Sequence, residues 1–470
     1  MSHTTTDPES RSRRTARART RNGVRSPAEA FGLETRPRSR GRKLVIQSVG
    51  TAGLNAAMLF FNVGVALLLS RLLGPSGYGA YAFATGWALL LAVPATLGLS
   101  QLVVREIATY RVREDWSRVK GLLRWANRAV LAAGLAISLT VATTFYALDW
   151  PGPTFFTATI IALTLVPLVP LVAIRQSAIQ GFGAVILSRT PETLVAPVVM
   201  IGLVLGVEAA RSGGISANSA VATQVASAAV AAGVGVFLLR LVRPAPVLEA
   251  AALETSRVWM MAALPILLST VIQAVNLQAG TILTGSIAGS EQAGIYNIAS
   301  RAAMLLTFLL TAVAPSLLPA IAELNERGET VALQRLITKA ARLVFLGSVP
   351  VAVGVIIFAH PILGLFGADF SAGADALRIL CLGQLVLVST GLAGATLIMV
   401  GEAGLATWAI ASGTALGLLL SVALIPALGA EGAAIGSAVS MAFTNILMAY
   451  LLWRRRGISS VAFYLGRSGP

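Results

Sequence analysis

The sequence predicts an all-α polytopic membrane protein of about twelve transmembrane helices in two six-helix halves. Three observations lead there. The chain is 56% hydrophobic and only 12% charged, with a mean hydropathy of +0.78. Apolar runs of spanning length recur from end to end, and basic residues gather in alternate connectors.

A soluble fold is about 45–50% apolar and about 25% charged. Surface-to-volume scaling leaves a water-soluble chain too few interior sites for this much apolar surface, so lipid is part of the solvent. Of the 470 residues, about 410 remain beyond a polar leader, which accommodates twelve spans of roughly 20–25 residues with short connectors. Connectors that short leave no room for a soluble catalytic domain. The apolar runs are continuous rather than alternating, which excludes a β-barrel. The formal charge of +16 lies in the leader, alternate loops and tail. That distribution encodes orientation and points away from nucleic acid. Cys381, His3 and His360 are the only cysteine and histidines, too few for a disulfide or a metal cluster.

The leader, Met1–Lys43, is rich in Arg, Ser and Thr and nearly free of large apolar residues. It reads as disordered, with Arg11, Arg13, Arg14, Arg17, Arg19, Arg21 and Arg25 setting topology and touching anionic lipid. The apolar run after Lys43 is about twice the usual 7–15 residues of a signal peptide core and is read as a retained span. The first half places spans at Leu44–Leu73, Ala80–Val104, Trp125–Leu148, Thr154–Gln180, Thr193–Glu208 and Ala217–Leu239. The second places them at Val258–Ile287, Gly294–Ala322, Ala341–Phe366, Ala376–Val400, Ala406–Leu428 and Gly432–Trp453. The expected organisation is a leader (1–43), a lobe (44–240), a cytoplasmic linker (241–257), a second lobe (258–453) and a tail (454–470). Kinks are expected at Pro94, Pro167, Pro170, Pro265, Pro315 and Pro350, where an N–H is missing.

The connectors carry the topology. One set holds Arg105, Arg111, Arg113, Arg118, Lys120 and Arg124, then Arg189, then Arg240, Arg243 and Arg257. The same set continues with Arg327, Arg335, Lys339 and Arg342, and ends with Arg454, Arg455 and Arg456. The alternate connectors carry Asp149, Glu291, Asp369 and Glu431, with Arg211 as the exception. The positive-inside rule then places both termini in the cytoplasm, in a cytoplasmic (inner) membrane.

An internal repeat is visible. LGPSGYGAYAFA joins the first two spans and AGSEQAGIYNIA the seventh and eighth. Gly74, Gly79, Tyr81 and Ala84 match Gly289, Gly294, Tyr296 and Ala299 at one constant offset. Both halves have six spans, so the repeats are parallel, related by an axis along the membrane normal.

No Walker loop, HExxH or GxSxG occurs, so no catalytic residue, metal ligand set or cofactor is expected. Glu106, Glu208, Asp369, Asp375 and Glu402 all fall at span ends, which argues against cation coupling through a mid-membrane acid. The basic residues say more. Arg301 lies about eight residues, or about 12 Å, into the eighth span, where a guanidinium must face protein or a wet cavity. Its fork of donors suits a phosphate or carboxylate. Arg71 and Arg175 lie nearer span ends. Gln273, Asn276, Gly280 and Thr284 form a polar stripe on the seventh span, as a sugar-lined cavity wall or a hydrogen-bonded helix seam would. Asn297 and Gln384 are further candidate lining residues.

Several stretches resemble the polysaccharide flippases of the MOP (multidrug/oligosaccharidyl-lipid/polysaccharide) superfamily. They are LLLSRLLGPSGYGAYAFATG (Leu67–Gly86), LGLSQLVVREIA (Leu97–Ala108), ILGLFGADFSAGADALRILCLG (Ile362–Gly383), the Gly401–Glu402 turn and LIPALGAEGAAIGSAVS (Leu424–Ser440). The resemblance covers roughly residues 44–455. It implies two six-helix lobes around a central cavity that opens alternately to each side. It also implies an undecaprenyl-pyrophosphate-linked glycan as substrate, and polysaccharide polymerase or export machinery as candidate partners beside membrane lipid. Arg301, in YNIASRAAM, resembles an arginine that lines the cavity of lipid II flippases. Many relatives carry an Asp-Arg pair in the seventh span; here the stretch reads Gln278–Ala279–Gly280–Thr281. The alternatives are a cation-coupled multidrug exporter on the same fold, a lipid II flippase, and a membrane polymerase or ligase. The last needs a large outer loop that this sequence lacks.

Overall fold

The computed structural model describes residues 40–210 and 214–463. The leader reading therefore lies almost wholly outside the described residues, as do Arg211 and the end of the tail. Contacts divide the chain into Met1–Ile46 and Gln47–Pro470, and the helical body belongs to the second unit.

Every regular element among the described residues is helical. The first half holds α1 (Arg40–Ala95), α2 (Leu99–Val112), α3 (Trp116–Ala147), α4 (Pro153–Ala162), α5 (Leu165–Gly181) and α6 (Val185–Thr190). A π-helical turn (Pro191–Val195) leads into α7 (Ala196–Ala210), then α8 (Ala217–Val242) and the short α9 (Pro246–Glu249). The second half holds α10 (Ser256–Ala303), α11 (Phe308–Glu326), α12 (Thr330–Ile357), α13 (Ala359–Gly364), α14 (Ala374–Thr390), α15 (Ala393–Met399) and α16 (Ala403–Arg456).

Among the described residues, nine helical stretches are long and apolar enough to cross a membrane. Three of them contain a glycine outside helical geometry: Gly74 (φ 64°, ψ 178°), Gly289 (φ 88°, ψ 178°) and Gly429 (φ 55°, ψ −125°). L-residues rarely adopt a positive φ, so glycine marks each reversal. The fold-back is visible in contacts. The Asn297 amide donates to Thr281 Oγ1 at 3.0 Å, although sixteen helical residues would separate them by about 24 Å. Each of the three stretches is thus a pair of spans, and the twelve expected spans are present.

The interior of several spans departs from expectation. The run Ala80–Val104 is broken at Leu97 (φ 53°) and Gly98 (φ 67°), just beyond Pro94. Its repeat partner is interrupted by a 3₁₀ turn at Met304–Thr307, between α10 and α11. Thr154–Gln180 is broken between α4 and α5, and Ala376–Val400 at Gly391 (φ 65°). Pro265 and Pro350, by contrast, lie inside continuous helices. Gly98 serves packing too. A Cβ there would lie 2.8 Å from Leu267 N, so only glycine lets α10 approach this break.

Burial differs between the two ends of the body. Near Gly74 and Gly289, one apolar cluster joins both lobes, uniting Leu69, Tyr78 and Tyr81 with Tyr296, Phe366 and Phe370. At the opposite end the buried side chains form two separate clusters. One holds Leu102, Ile107, Leu122 and Ile174 with Trp259 and Ala263 of α10. The other holds Ile321, Leu333, Leu397 and Leu452. The lobes share a core at the hairpin end; at the end with the basic connectors the start of α10 is packed into the first-lobe cluster, while the rest of the second lobe has its own.

Candidate functional site

The site lies where the arm of α10 after Gly289 meets the first hairpin. The constant offset of the repeat continues here, so Gly86 and Ala82 are the first-half counterparts of Arg301 and Asn297. The symmetry is broken at this level only by chemistry: one lobe offers small residues, the other a guanidinium.

Asn297 organises the cluster. Its carbonyl oxygen accepts from Arg301 Nε at 2.9 Å and from the Tyr78 hydroxyl at 3.1 Å, while its amide reaches Thr281. Three spans are tied to one side chain, and the guanidinium is aimed by its Nε bond to Asn297. Arg301 is exposed as a residue, its guanidinium also lies beside the Tyr78 hydroxyl, and no carboxylate pairs with it among the described residues. Counted from Ser290, Arg301 is eleven residues along its arm, about 16 Å at 1.5 Å per residue, a turn deeper than its expected depth. An exposed, unneutralised guanidinium at that depth would cost about 2.5–3.5 kcal/mol in lipid, which favours protein or water around it. Tyr81 stiffens the hairpin by donating to Gln224 Oε1 at 2.9 Å.

The other sequence candidates fall elsewhere. Asn276 donates to Thr414 Oγ1 at 3.0 Å and to Ser440 Oγ at 3.3 Å, and Tyr296 pairs with Ser437 at 2.7 Å. The stripe on the seventh span is therefore a helix seam at Asn276, beside a second-lobe pocket of about 80 Å³. Gln384 is buried on that pocket with its Oε1 unpaired. Gln273 is exposed, away from this lining. Arg71 donates Nε to the Leu365 carbonyl at 2.8 Å, which joins the first span to the other lobe near the shared core. Arg175 is half-buried in the first lobe and reaches the Ala232 carbonyl at 3.3 Å. So the structure brings Arg301 and Asn297 together, sets Asn276 and Gln384 on a separate small pocket, and disperses Arg71, Arg175 and Gln273. Sequence reasoning missed Tyr78, Thr281 and Ser437. The tyrosine in GPSGYGAY was a usable signal, because a phenol near a helix start needs a partner once buried.

The family model described as polysaccharide biosynthesis protein matches residues 51–325, more than half of the chain. The chain belongs to this family. A second model, MatE, matches residues 265–423. Two relatives from Haloferax volcanii, the probable low-salt glycan biosynthesis flippase Agl15 and the probable flippase AglR, are each 28% identical over 172 residues. Those matches span 36% of this chain and 36% of each relative. Among solved structures, an inward-facing multidrug resistance MATE family transporter of the MOP superfamily superposes with a TM-score of 0.68 at 16% identity, covering 86% of this chain and 98% of that one. Lipid II flippase MurJ in an inward closed conformation gives 0.68 at 13% identity over 87% of each chain. An outward-facing MATE family transporter gives 0.61 at 15% identity, over 87% of this chain and 94% of that one. The fold is that of the MOP superfamily, twelve helices in two lobes.

Proposed function

We propose that this protein is a flippase that carries a polyprenyl-pyrophosphate-linked glycan across the cytoplasmic membrane by alternating access. The observation that carries the reading is Arg301: held by Asn297 at the meeting of the lobes, exposed, and with no acid among the described residues to neutralise it. A planar fork with free donors is suited to a phosphate. Support also comes from the curated relatives named as flippases.

The physical task is to shield a polar head. Unaided passage of sugars and pyrophosphate through hydrocarbon would cost tens of kcal/mol, because each charge loses its hydration. A cleft that excludes lipid from the head while the prenyl tail stays in the bilayer removes most of that barrier. In this reading the shared core near Gly74 and Gly289 is the closed outer side, and the inner side, where the start of α10 alone is packed into the first-lobe cluster, is the side that opens. The basic connectors and both termini then face the cytoplasm.

Reconstitution tests it. Vesicles containing the protein and a fluorescent polyprenyl-pyrophosphate-linked oligosaccharide should expose the internal glycan to an external glycosidase, at a rate proportional to protein. A rate equal to protein-free vesicles overturns the proposal, and export of small cationic drugs instead would support a multidrug exporter.

A further inference from the structure

A second cavity, open on one side, lies in the first lobe at the end with the basic connectors, bordered by α2, α5 and α6. Its volume is about 350 Å³, against about 80 Å³ for the second-lobe pocket. Small-molecule sites run from about 300 to 1,000 Å³, so only the first of these has ligand size in this conformation.

The lining mixes Val104 and Ala173 with polar, almost uncharged groups: Gln101, Gln176 and Gln180, with Ser100, Ser188 and Arg189. Each carboxamide both donates and accepts, as each sugar hydroxyl does. Gln176 is anchored from behind, donating Nε2 to Glu192 Oε2 at 3.1 Å. Glu192 belongs to the π-helical turn Pro191–Val195, and such turns recur at functional sites because they widen a helix locally. A lone arginine with a carboxylate one hydrogen bond away is a weak anion site. The same groups suit a neutral polyhydroxylated guest, whose hydroxyls meet the carboxamides and whose ring faces meet Val104 and Ala173.

The repeat supplies a control within the molecule. The same end of the second lobe is packed with Ile321, Leu333, Ile337 and Leu397. Ser100, Gln101 and Val104 are replaced there by Pro315, Ser316 and Pro319 at the repeat offset. The fold itself does not require a polar cavity at this place.

Ser100 lies fourteen residues beyond Gly86, the counterpart of Arg301, past the break at Leu97–Gly98 and toward the basic end. We infer that this cavity, built by Gln101, Gln176, Gln180 and Arg189, is a carbohydrate subsite at the loading mouth that takes one or two uncharged sugar residues of the glycan. The assignment rests on the flippase reading for the origin of the sugar, but binding itself is tested without it.

The experiment uses the full chain in nanodiscs free of glycolipid, since a maltoside detergent would itself present sugar. Saturation-transfer NMR with a panel of free disaccharides should give ring-proton signals in the wild type. Gln101→Leu, at an exposed position where folding is insensitive, and Gln180→Leu should each weaken binding about tenfold, as expected for losing a hydrogen bond and leaving its partner unpaired. Arg301→Ala should bind the disaccharide normally. No disaccharide signal, or equal signals in wild type and both variants, overturns the subsite. Inorganic pyrophosphate competing at the same place, lost in Gln101→Leu, would also overturn it in favour of an anion site. The two proposals fail separately: binding that persists in a protein unable to flip lipid-linked glycan keeps the subsite and sinks the flippase reading.

Discussion

Gly79 and Gly294 face each other across the repeat axis, and each lacks the Cβ that would overlap the backbone of the other hairpin. A side chain on Gly79 would strike the Ser290 carbonyl, and one on Gly294 the Pro75 carbonyl. Pro75 and Ser290 are themselves counterparts at the repeat offset, so one contact is made twice. Beside it, the Ser76 and Ser290 hydroxyls lie 2.9 Å apart. These contacts close the end of the molecule where the lobes share a core.

Closure at this point is testable by crosslinking. In a Cys381→Ala background, Ser76→Cys with Ser290→Cys should form a disulfide on mild oxidation, because the two Oγ positions are already within bonding reach of a small adjustment. Adding Gly79→Ala should reduce crosslinking several-fold, as the methyl forces the hairpins apart. Undiminished crosslinking in the triple variant would mean that the hairpins tolerate a Cβ and do not form a tight closure.

The first lobe holds α10 through a buried polar pair. Trp259 Nε1 donates to the Tyr110 hydroxyl at 3.1 Å, with Trp125 packed against the indole at 5.4 Å between ring centroids and a 44° tilt. Tyr110→Phe leaves the indole N–H unpaired and should cost about 1–3 kcal/mol, read as a lower melting temperature. Burial also raises the Tyr110 pKa above the usual tyrosine value, the indole bond opposing the shift in part. The raised value means this contribution is fully present below the unfolded pKa of about 10 and is lost as pH rises beyond it. Wild-type stability should therefore fall more steeply above pH 10 than that of Tyr110→Phe; parallel curves would remove Tyr110 as the cause.

Gln384 offers a contrast with Arg301. Its buried, unpaired Oε1 carries a desolvation cost with no compensating bond, so Gln384→Leu should keep or raise the melting temperature. Transport should survive too, because the pocket it lines is too small for a sugar in this state. A stable Gln384→Leu protein that no longer transports would move the substrate path into the second lobe.

What the sequence made legible, and what it hid, has a physical pattern. Spans and reversals were readable because lipid imposes their length and because Gly74 and Gly289 stand in the same frame of a repeat. The breaks at Leu97–Gly98 and Gly391 were not, since they follow from packing: Gly98 admits α10, and a Cβ on Gly391 would lie 3.0 Å from the Ser460 carbonyl. Proline alone was a poor guide, bending nothing visible at Pro265 while preceding a break at Pro94. Arg301 stood out as a cation in an apolar run. Gln101, Gln176 and Gln180 did not, because Gln101 sits on α2 and the other two on α5, and they come together only in three dimensions.

Asn297 should matter through Arg301. Asn297→Ala removes the acceptor that aims the guanidinium and frees the Tyr78 hydroxyl. Transport should fall below wild type yet stay above Arg301→Ala, because the charge remains but loses its orientation. Wild-type transport by Asn297→Ala would show that the hub has no positioning role.

The most direct test of the account is glycan export by Arg301 variants, normalised to folded protein in the membrane. Arg301→Ala should abolish export while protein level and detergent stability stay near wild type, and Arg301→Lys should retain part of it, since charge survives without the bidentate fork. Full export by a well-expressed Arg301→Ala protein would contradict the proposed phosphate contact.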